Sequence, residues 1–343
     1  MKIGLVGYQG SGKSTLFELL TGVKPDLSKS QSGQVGIADV PDERFDRLVE
    51  HYNPKKIVPT RIELFDTPGL TQDQESGNSQ KLGTLRESTI LIHVIGLFTG
   101  VDPVKEVQQF NDDLLLADLQ VISNRIERLS KDASKPRPDK DQLQAELEAL
   151  QPIAELLNNG EPARNMEFNE LQELATKSYS LLTRKRRLVV LNSADSDIDS
   201  KLIQDVEKMG DPVICAPVGL ELELNALDEE ERLIFAEEMG LKEESHKKLL
   251  RKIFEVTDQI TFYTSDEKEV HAWLLSRGST VVEAAHSIHS DLARGFVRAE
   301  IWSADDLLKC GSERELKAQG LNHVEGKDYI VQDGDEIFIR SGV

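Results

Sequence analysis

The feature that most constrains this sequence is a glycine-rich stretch close to its N-terminus. It reads Gly7-Tyr8-Gln9-Gly10-Ser11-Gly12-Lys13-Ser14 and matches the pattern G-x-x-x-x-G-K-[ST] at every fixed position. A short apolar run at 2–6, typical of a buried strand, precedes it, and a helical pattern at 13–20 follows. Between a strand and a helix, such a loop curls its backbone N–H groups around phosphate oxygens. A glycine turn with an incidental lysine would lack this context, so the stretch predicts a nucleotide phosphate site.

The residue types within the stretch predict individual roles. Lys13 supplies a positive charge to the β- and γ-phosphates and is the predicted catalytic residue. Ser14 offers a hydroxyl ligand to Mg²⁺, which is the predicted cofactor. The predicted phosphate-binding residues are Gly10, Ser11, Gly12, Lys13, Ser14 and Thr15.

A second motif, Asp66-Thr67-Pro68-Gly69, follows a strand-like run at 60–65. At this position we expect Asp66 to hold Mg²⁺ through water and the Gly69 N–H to meet the γ-phosphate. The alternative is an ordinary Pro-Gly turn capped by Asp66.

A third motif, Asn192-Ser193-Ala194-Asp195, follows the strand-like run at 187–191. Small GTPases carry Asn-Lys-x-Asp there to read the base, so Asn192 and Asp195 are predicted base-binding residues. Because the lysine is absent, a polar turn after a strand remains the alternative.

The distribution of apolar residues predicts the architecture. Strand-like runs at 2–6, 60–65, 90–95 and 187–191, separated by helical stretches, predict an α/β fold with a mainly parallel sheet covered on both faces. We assign this nucleotide-binding domain to residues 1–100 and 184–256.

An inserted helical domain is predicted at 101–183, where two heptad seams favour an antiparallel hairpin over two helices packed on the sheet. The seams are Leu115, Leu119, Ile122, Ile126 and Leu129, and Leu143, Leu147, Leu150, Ala154 and Leu157. A small α+β domain is predicted at 257–343. It has a strand at 259–264, a helix capped by Thr280 and Glu283, and a hairpin turning at Asp333-Gly334.

The amino-acid composition limits the kinds of partner that this chain is expected to bind. The formal net charge is -20, so broad non-specific binding to nucleic acid is not expected, although a local basic patch could still dock on a ribosome. The run at 184–187 is such a patch or a solvated helix end. Two cysteines, far apart, fit a reducing compartment, and no apolar run approaches membrane-spanning length. We therefore expect a cytoplasmic protein that binds no membrane.

These motifs, in this order, resemble the translation-factor-related GTPases and, within them, the Obg-like YchF family. The resemblance extends over Val40–Leu48, Asn53–Pro59 and Gly160–Arg164, and over the C-terminal segments Lys268–Trp273, Gly295–Glu300 and Glu325–Asp335. It implies a G domain, an inserted coiled-coil hairpin and a C-terminal TGS domain with a β-grasp fold. It also implies ATP as the preferred nucleotide in many members, ribosome association, and roles in translation or stress responses.

The sequence departs from that family at several positions. Gly10 stands where relatives usually have Asn, Ser30 replaces the switch threonine as a predicted metal ligand, and the base motif ends in Asp195 rather than Glu. The later base loop is reduced to Pro217-Val218-Gly219, and Leu70 occupies the position of the water-orienting glutamine. We therefore expect a switch that slowly hydrolyses ATP or GTP. The alternatives are a strict GTPase and a nucleotide-dependent binding module with negligible turnover.

Overall fold

The computed structural model describes residues 1–29, 32–71, 75–135, 138–194, 199–238 and 245–342. The chain forms two compact units. One comprises Met1–Ala38 and Glu63–Leu249, and the other comprises Asp39–Ile62 and Leu250–Val343. Residues 39–62, assigned from sequence to the nucleotide-binding domain, group with the C-terminal unit. The finer three-domain boundaries stay a prediction.

Strands and helices alternate along the chain. The strands are β1 (Lys2–Val6), β2 (Gln34–Asp39), β3 (Lys56–Val58), β4 (Arg61–Asp66), β5 (Ile90–Gly96), β6 (Arg186–Asn192), β7 (Val213–Ala216), β8 (Gln259–Ser265), β9 (Glu269–Ser276), β10 (Phe296–Ser303), β11 (His323–Glu325) and β12 (Asp335–Ser341). The helices are α1 (Lys13–Thr21), α2 (Glu43–Tyr52), α3 (Glu75–Thr84), α4 (Pro103–Ala133), α5 (Lys140–Asn158), α6 (Glu170–Thr176), α7 (Ser200–Glu207), α8 (Val218–Leu224), α9 (Glu229–Glu238), α10 (Ser245–Val256), α11 (Val281–Ile288), α12 (Ser290–Arg294), α13 (Ala304–Cys310) and α14 (Glu313–Ala318).

The sheet of the first unit has the order β2-β4-β1-β5-β6-β7. β1 pairs in parallel with β4 and β5, β5 with β6, and β6 with β7, which confirms the predicted mainly parallel sheet. Every residue of β5 is buried, as expected for a strand covered on both faces. The carboxyl ends of β1, β4 and β6 lie at the same edge, where parallel sheets bind ligands. The three sequence motifs follow these ends.

Helix α4 has two packing environments. Near its N-terminus Val107, Phe110 and Leu114 pack into clusters with residues of the sheet strands. Further along, the α4 seam joins one apolar cluster with the whole α5 seam. Arg125 donates two hydrogen bonds to Glu146, of 2.8 and 2.6 Å, across the helix pair. Because the connection at 134–139 is short, the two helices run antiparallel. The predicted hairpin describes the later part of α4, and the alternative, a helix packed on the sheet, describes its N-terminal part.

The second unit is built on a sheet of order β11-β10-β12-β8-β9-β3. Its edge strand β3 pairs in parallel with β9. Phe45 and Leu48 of α2 pack with Tyr263 and Trp302 of the C-terminal region. The predicted capping box is confirmed, since the Thr280 side chain accepts from the Glu283 N–H and the Glu283 side chain accepts from the Thr280 N–H.

The predicted hairpin around Asp333-Gly334 is wrong. Only its second arm forms a named strand, β12, which runs antiparallel to β10 and parallel to β8. The turn residues bind β8 instead, because the Asp333 carboxylate accepts from the Thr261 N–H at 2.9 Å and the Gly334 N–H donates to the Thr261 carbonyl at 2.8 Å. Asp333 and Gly334 are residue types typical of a hairpin turn, but here they bind β8, a strand far away in the sequence.

Within the described residues, no helix combines the length and the hydropathy required to cross a bilayer.

Candidate nucleotide-phosphate site

The loop 7–14 has the backbone geometry that its glycines allow. Gly10 and Gly12 have φ of 81° and 89°, in the left-handed region. Gly12 is the N-cap of α1, whose first turn carries Lys13, Ser14 and Thr15. A Cβ at Gly12 would overlap Nδ2 of Asn192, whereas a Cβ at Gly10 would meet nothing within 4 Å. Gly12 is therefore required by both its φ and its close neighbour, and Gly10 by its φ alone.

Lys13 lies inside the loop and is only 6% exposed. Its Nζ donates to the Tyr8 carbonyl at 3.3 Å. Burial lowers the pKa of Lys13, while Asp66 and Glu106 oppose that shift. An anion bound in the loop would stabilise the ammonium further, since a buried charge gains most from a close counter-charge.

Ser14, in the first turn of α1, contacts Asp66, the last residue of β4. The Ser14 hydroxyl donates to Oδ2 of Asp66 at 2.7 Å. The other oxygen, Oδ1, is buried and has no hydrogen-bond partner among the described residues. Burial raises the pKa of Asp66, against the opposing effects of Ser14 and Lys13. A hydroxyl beside a carboxylate with an unused oxygen is a hard oxygen donor set of the kind that Mg²⁺ prefers.

The Gly69-Leu70 segment is bonded to the glycine-rich loop. The Leu70 N–H donates to the Gly7 carbonyl and the Gln9 N–H donates to the Leu70 carbonyl, both at 3.0 Å. The Leu70 side chain is 1% exposed and packs in an apolar cluster with Val6 and Phe110. It points into the core, so it cannot orient a water molecule on bound phosphate.

Asn192 supports the loop. Its Nδ2 donates to the Ser11 carbonyl at 3.0 Å, and its Oδ1 accepts from the Val218 N–H at 3.2 Å. The segment 217–219 begins α8, so the N–H of Val218 is already engaged. Two predicted site residues, Ser30 and Asp195, lie outside the described residues.

Sequence reasoning missed several residues near the loop. Phe98 is 55% exposed, and its ring lies 3.9 Å from the position of a Cβ on Gly12. Lys81 of α3 donates to the Gly69 carbonyl at 2.7 Å. Glu106 lines an open cleft of about 390 Å³ beside Gln9 and Ser11. No motif marks these positions, because only the fold brings them to the loop.

Glu106 and His93 form a buried pair behind the loop. His93 Nε2 lies 3.8 Å from Glu106 Oε1, and neither atom has a hydrogen-bond partner among the described residues. Burial raises the pKa of Glu106 to about 7 and lowers the pKa of His93 to about 3. Burial thus shifts both pKa values in the direction that favours the neutral form of each group.

The basic run at 184–187 does not form one exposed patch. Arg184 pairs with Glu173 through two 2.8 Å hydrogen bonds, and Lys185 donates to the carbonyls of Arg86 and Ser88. Arg187 is 7% exposed. Arg184, Lys185 and Arg187 are thus engaged in contacts within the first unit.

Comparison with known proteins agrees with this geometry. A family model described as a 50S ribosome-binding GTPase matches residues 2–125. The C-terminal YchF GTPase model, described as a protein of unknown function (DUF933), matches residues 259–341. The Ribosome-binding ATPase YchF of Bacillus subtilis is 34% identical over 366 residues, covering 99% of each chain. The protein of the same name from Haemophilus ducreyi is 31% identical over 363 residues, covering 100% of this chain and 99% of its own.

A solved structure is similar over the same length. The YchF GTPase of Schizosaccharomyces pombe has a TM-score of 0.82 and 25% identity, covering 99% of this chain and 97% of its own.

Proposed function

This chain belongs to the YchF family of P-loop nucleotide hydrolases, and we propose that it is a ribosome-associated switch that slowly hydrolyses ATP or GTP with Mg²⁺. The observation that carries the proposal is the convergence of three groups at one sheet edge. They are the Lys13 ammonium, the Ser14–Asp66 oxygen pair and the loop of N–H groups from Gly10 to Thr15.

The donor set at Ser14 and Asp66 fits Mg²⁺. Ser14 would hold the ion through its hydroxyl, and Asp66 would hold it through water. The bound ion supplies charge neutralisation on the transferred phosphoryl group. Ser30 remains a proposed third ligand on sequence grounds alone.

Phosphate binding is proposed to depend on charge and on backbone donors. Lys13 neutralises the β- and γ-phosphates, and the Gly69 N–H meets the γ-phosphate. Asn192 positions the loop through its bond to Ser11, and Asp195 is proposed to contact the base. Phe98 offers an exposed aromatic face beside Gly12 on which a base can stack.

Slow turnover follows from the Leu70 position. Phosphoryl transfer needs an oriented water, and the side chain after Gly69 is buried in the core. Another switch group, the substrate's own phosphate or a partner must then orient the water. A partner that accelerates hydrolysis would couple the nucleotide state of the switch to its binding on a large assembly such as the ribosome.

Partners and location are inferred from the relatives. The two relatives described above carry the name ribosome-binding ATPase, and we extend ribosome binding and a cytoplasmic location to this chain. We retain three domains, namely a G domain at 1–100 and 184–256, a helical insert at 101–183 and a TGS domain at 257–343. The α4–α5 packing and the family match at 259–341 support this division.

The test is Lys13→Ala beside Lys24→Ala, an exposed lysine in the same unit. Lys13→Ala should abolish ATP and GTP binding in calorimetric titration and leave the circular dichroism spectrum unchanged. Lys24→Ala should match the parent protein. Unchanged affinity of Lys13→Ala for both nucleotides would remove the proposal.

A single-turnover assay separates the enzyme from the rival binding module. Preloaded triphosphate should be converted to diphosphate by the parent protein and not by Lys13→Ala. Stable triphosphate over hours in the parent, with and without ribosomes, would favour a binding module that does not turn over.

A further inference from the structure

A second cleft lies in the first unit, where the chain leaves the helical hairpin. Its volume is about 470 Å³, and none of its lining residues belongs to the glycine-rich loop. Helix α4 contributes Gln108 and Asn111, and also Leu114 and Leu115, to its lining. The lining also contains Arg164, just after α5, Arg187 of β6, which donates to Asn111 of α4, and Lys208 at the end of α7. Three cations thus line one small cavity of an acidic protein.

The cations outnumber the carboxylates that face them. Asp211 accepts from Arg164 and also pairs with Arg187, each at 2.5 Å. Among the ion pairs of the described residues, two guanidinium groups therefore share one buried carboxylate, which is an excess of one positive charge. Lys208 is 72% exposed on its side chain and pairs with the solvent-facing Asp205. A surface pair of this kind is weak and leaves the ammonium available.

Arg187 is the most constrained of the three. It is 7% exposed, and its remaining contacts are the Asn111 amide oxygen and the ring of Phe110. Burial lowers the pKa of Arg187 to about 10, and the neighbouring Arg164 adds to the shift while Asp211 opposes it. The guanidinium stays charged at neutral pH in surroundings that compensate it incompletely. An anion in the cleft would supply the missing charge.

We propose that this cleft binds a phosphate group, either as inorganic phosphate or on a small phosphate-bearing molecule. Guanidinium forks match the spacing of phosphate oxygens, and a dianion can compensate both the buried Arg187 and the partly exposed Arg164, which a single carboxylate cannot. The Asn165 amide is a neutral hydrogen-bond donor in the same lining, whereas the Gln108 amide already donates to Asp112 at 3.1 Å. The site is independent of the proposed nucleotide site, and its ligand would bridge the hairpin exit, β6 and the end of α7.

The experiment is calorimetric titration of the full chain with inorganic phosphate and with pyrophosphate, at constant ionic strength and saturating ADP. ADP occupies the glycine-rich loop, and repeating the titration with Lys13→Ala removes that loop as a phosphate site by a second route. Binding should persist under both conditions. Binding that disappears in both would assign the phosphate to the nucleotide site and overturn the proposal.

Substitutions inside and outside the cleft test where phosphate binds. Arg164→Gln should weaken phosphate binding by about tenfold or more, because a charged hydrogen bond is lost. Arg184→Gln, an arginine outside the cleft, should leave binding unchanged.

Asp211→Asn should tighten binding, because both guanidinium groups are released from their competing carboxylate. Equal affinities in the parent, Arg164→Gln and Asp211→Asn proteins would refute the proposal. Thermal melting in excess phosphate is a second measurement if Asp211→Asn folds poorly, since bound ligand should raise its melting temperature more than that of Arg164→Gln.

Discussion

Gly12→Ala, compared with Gly10→Ala, isolates one contact of the glycine-rich loop. Both glycines have positive φ, so an alanine at either position costs roughly 1–2 kcal/mol of backbone strain, less about 0.4–1 kcal/mol from the restricted unfolded chain. Gly10→Ala adds nothing else, because its Cβ would meet no atom within 4 Å. Its net cost should be about 1 kcal/mol.

Gly12→Ala must also displace Asn192. The added methyl overlaps Nδ2, so the amide leaves the Ser11 carbonyl and the Val218 N–H, both in buried surroundings. Each group left without its partner costs about 1–3 kcal/mol. Gly12→Ala should therefore lower the local free energy of unfolding by about 2–6 kcal/mol more than Gly10→Ala does.

Amide hydrogen exchange is the suitable assay. The two compact units make a single global free energy of unfolding ill-defined, whereas exchange in peptides covering β1 and α1 measures local opening. The measurement uses nucleotide-free protein, so that ligand binding does not mask the difference.

A double-mutant cycle identifies the cause. In an Asn192→Ala background the added methyl has no amide to displace, so Gly12→Ala should cost no more than Gly10→Ala. A difference of less than about 0.5 kcal/mol between the two alanine variants in the parent background would refute displacement of Asn192 as the cause. A difference that survives in the Asn192→Ala background would refute it as well.

Three further outcomes are expected. Leu70→Ala should cost about 2–5 kcal/mol of stability by opening a core cavity, yet change turnover of bound ATP less than about tenfold; a thousandfold loss with binding preserved would show that Leu70 acts on the water. Hydrolysis rates in matched KCl and NaCl should be equal, because Gly10 offers no side-chain oxygen to hold potassium beside the phosphates. Gly10→Asn, whose Cβ would meet no atom within 4 Å, should introduce potassium-specific acceleration despite the strain of its positive φ, and a potassium effect in the parent protein would mean that other groups hold the ion. ADP and GDP affinities should lie within about 30-fold, or roughly 2 kcal/mol, since the Val218 N–H is engaged by Asn192 and Pro217 has none; a GDP preference of a thousandfold would indicate a complete guanine site.

The sequence predicted those elements whose formation depends on residues close together in the chain. The strand at Lys2–Val6 has its predicted bounds, and α1 extends one residue beyond the predicted helix. The Thr280 cap was readable because both of its partners lie within three residues. The seams of α4 and α5 were readable because heptad spacing records a partner helix.

Contacts between elements far apart in the sequence could not be predicted in this way. The amphipathic pattern of α2 indicates a buried face but not which unit buries it, and β3 finds its partner β9 more than 200 residues later. Asp333-Gly334 has the composition of a hairpin turn, yet its bonds go to Thr261. Phe98, Lys81 and Glu106 carry no motif, so their proximity to the loop follows only from the fold.

The second unit is discontinuous in sequence, and this has a consequence for synthesis on the ribosome. Residues 39–62 leave the exit tunnel early, but the strands that cover them begin only after Leu250. At a synthesis rate of about 5–20 residues per second, roughly 10–40 s pass between the emergence of α2 and that of the strands that cover its apolar face. During that interval Phe45 and Leu48 have no native surface to pack against. A chain truncated before β8 would keep that exposure permanently, so we expect it to aggregate or to engage chaperones even though the nucleotide-binding motifs are intact.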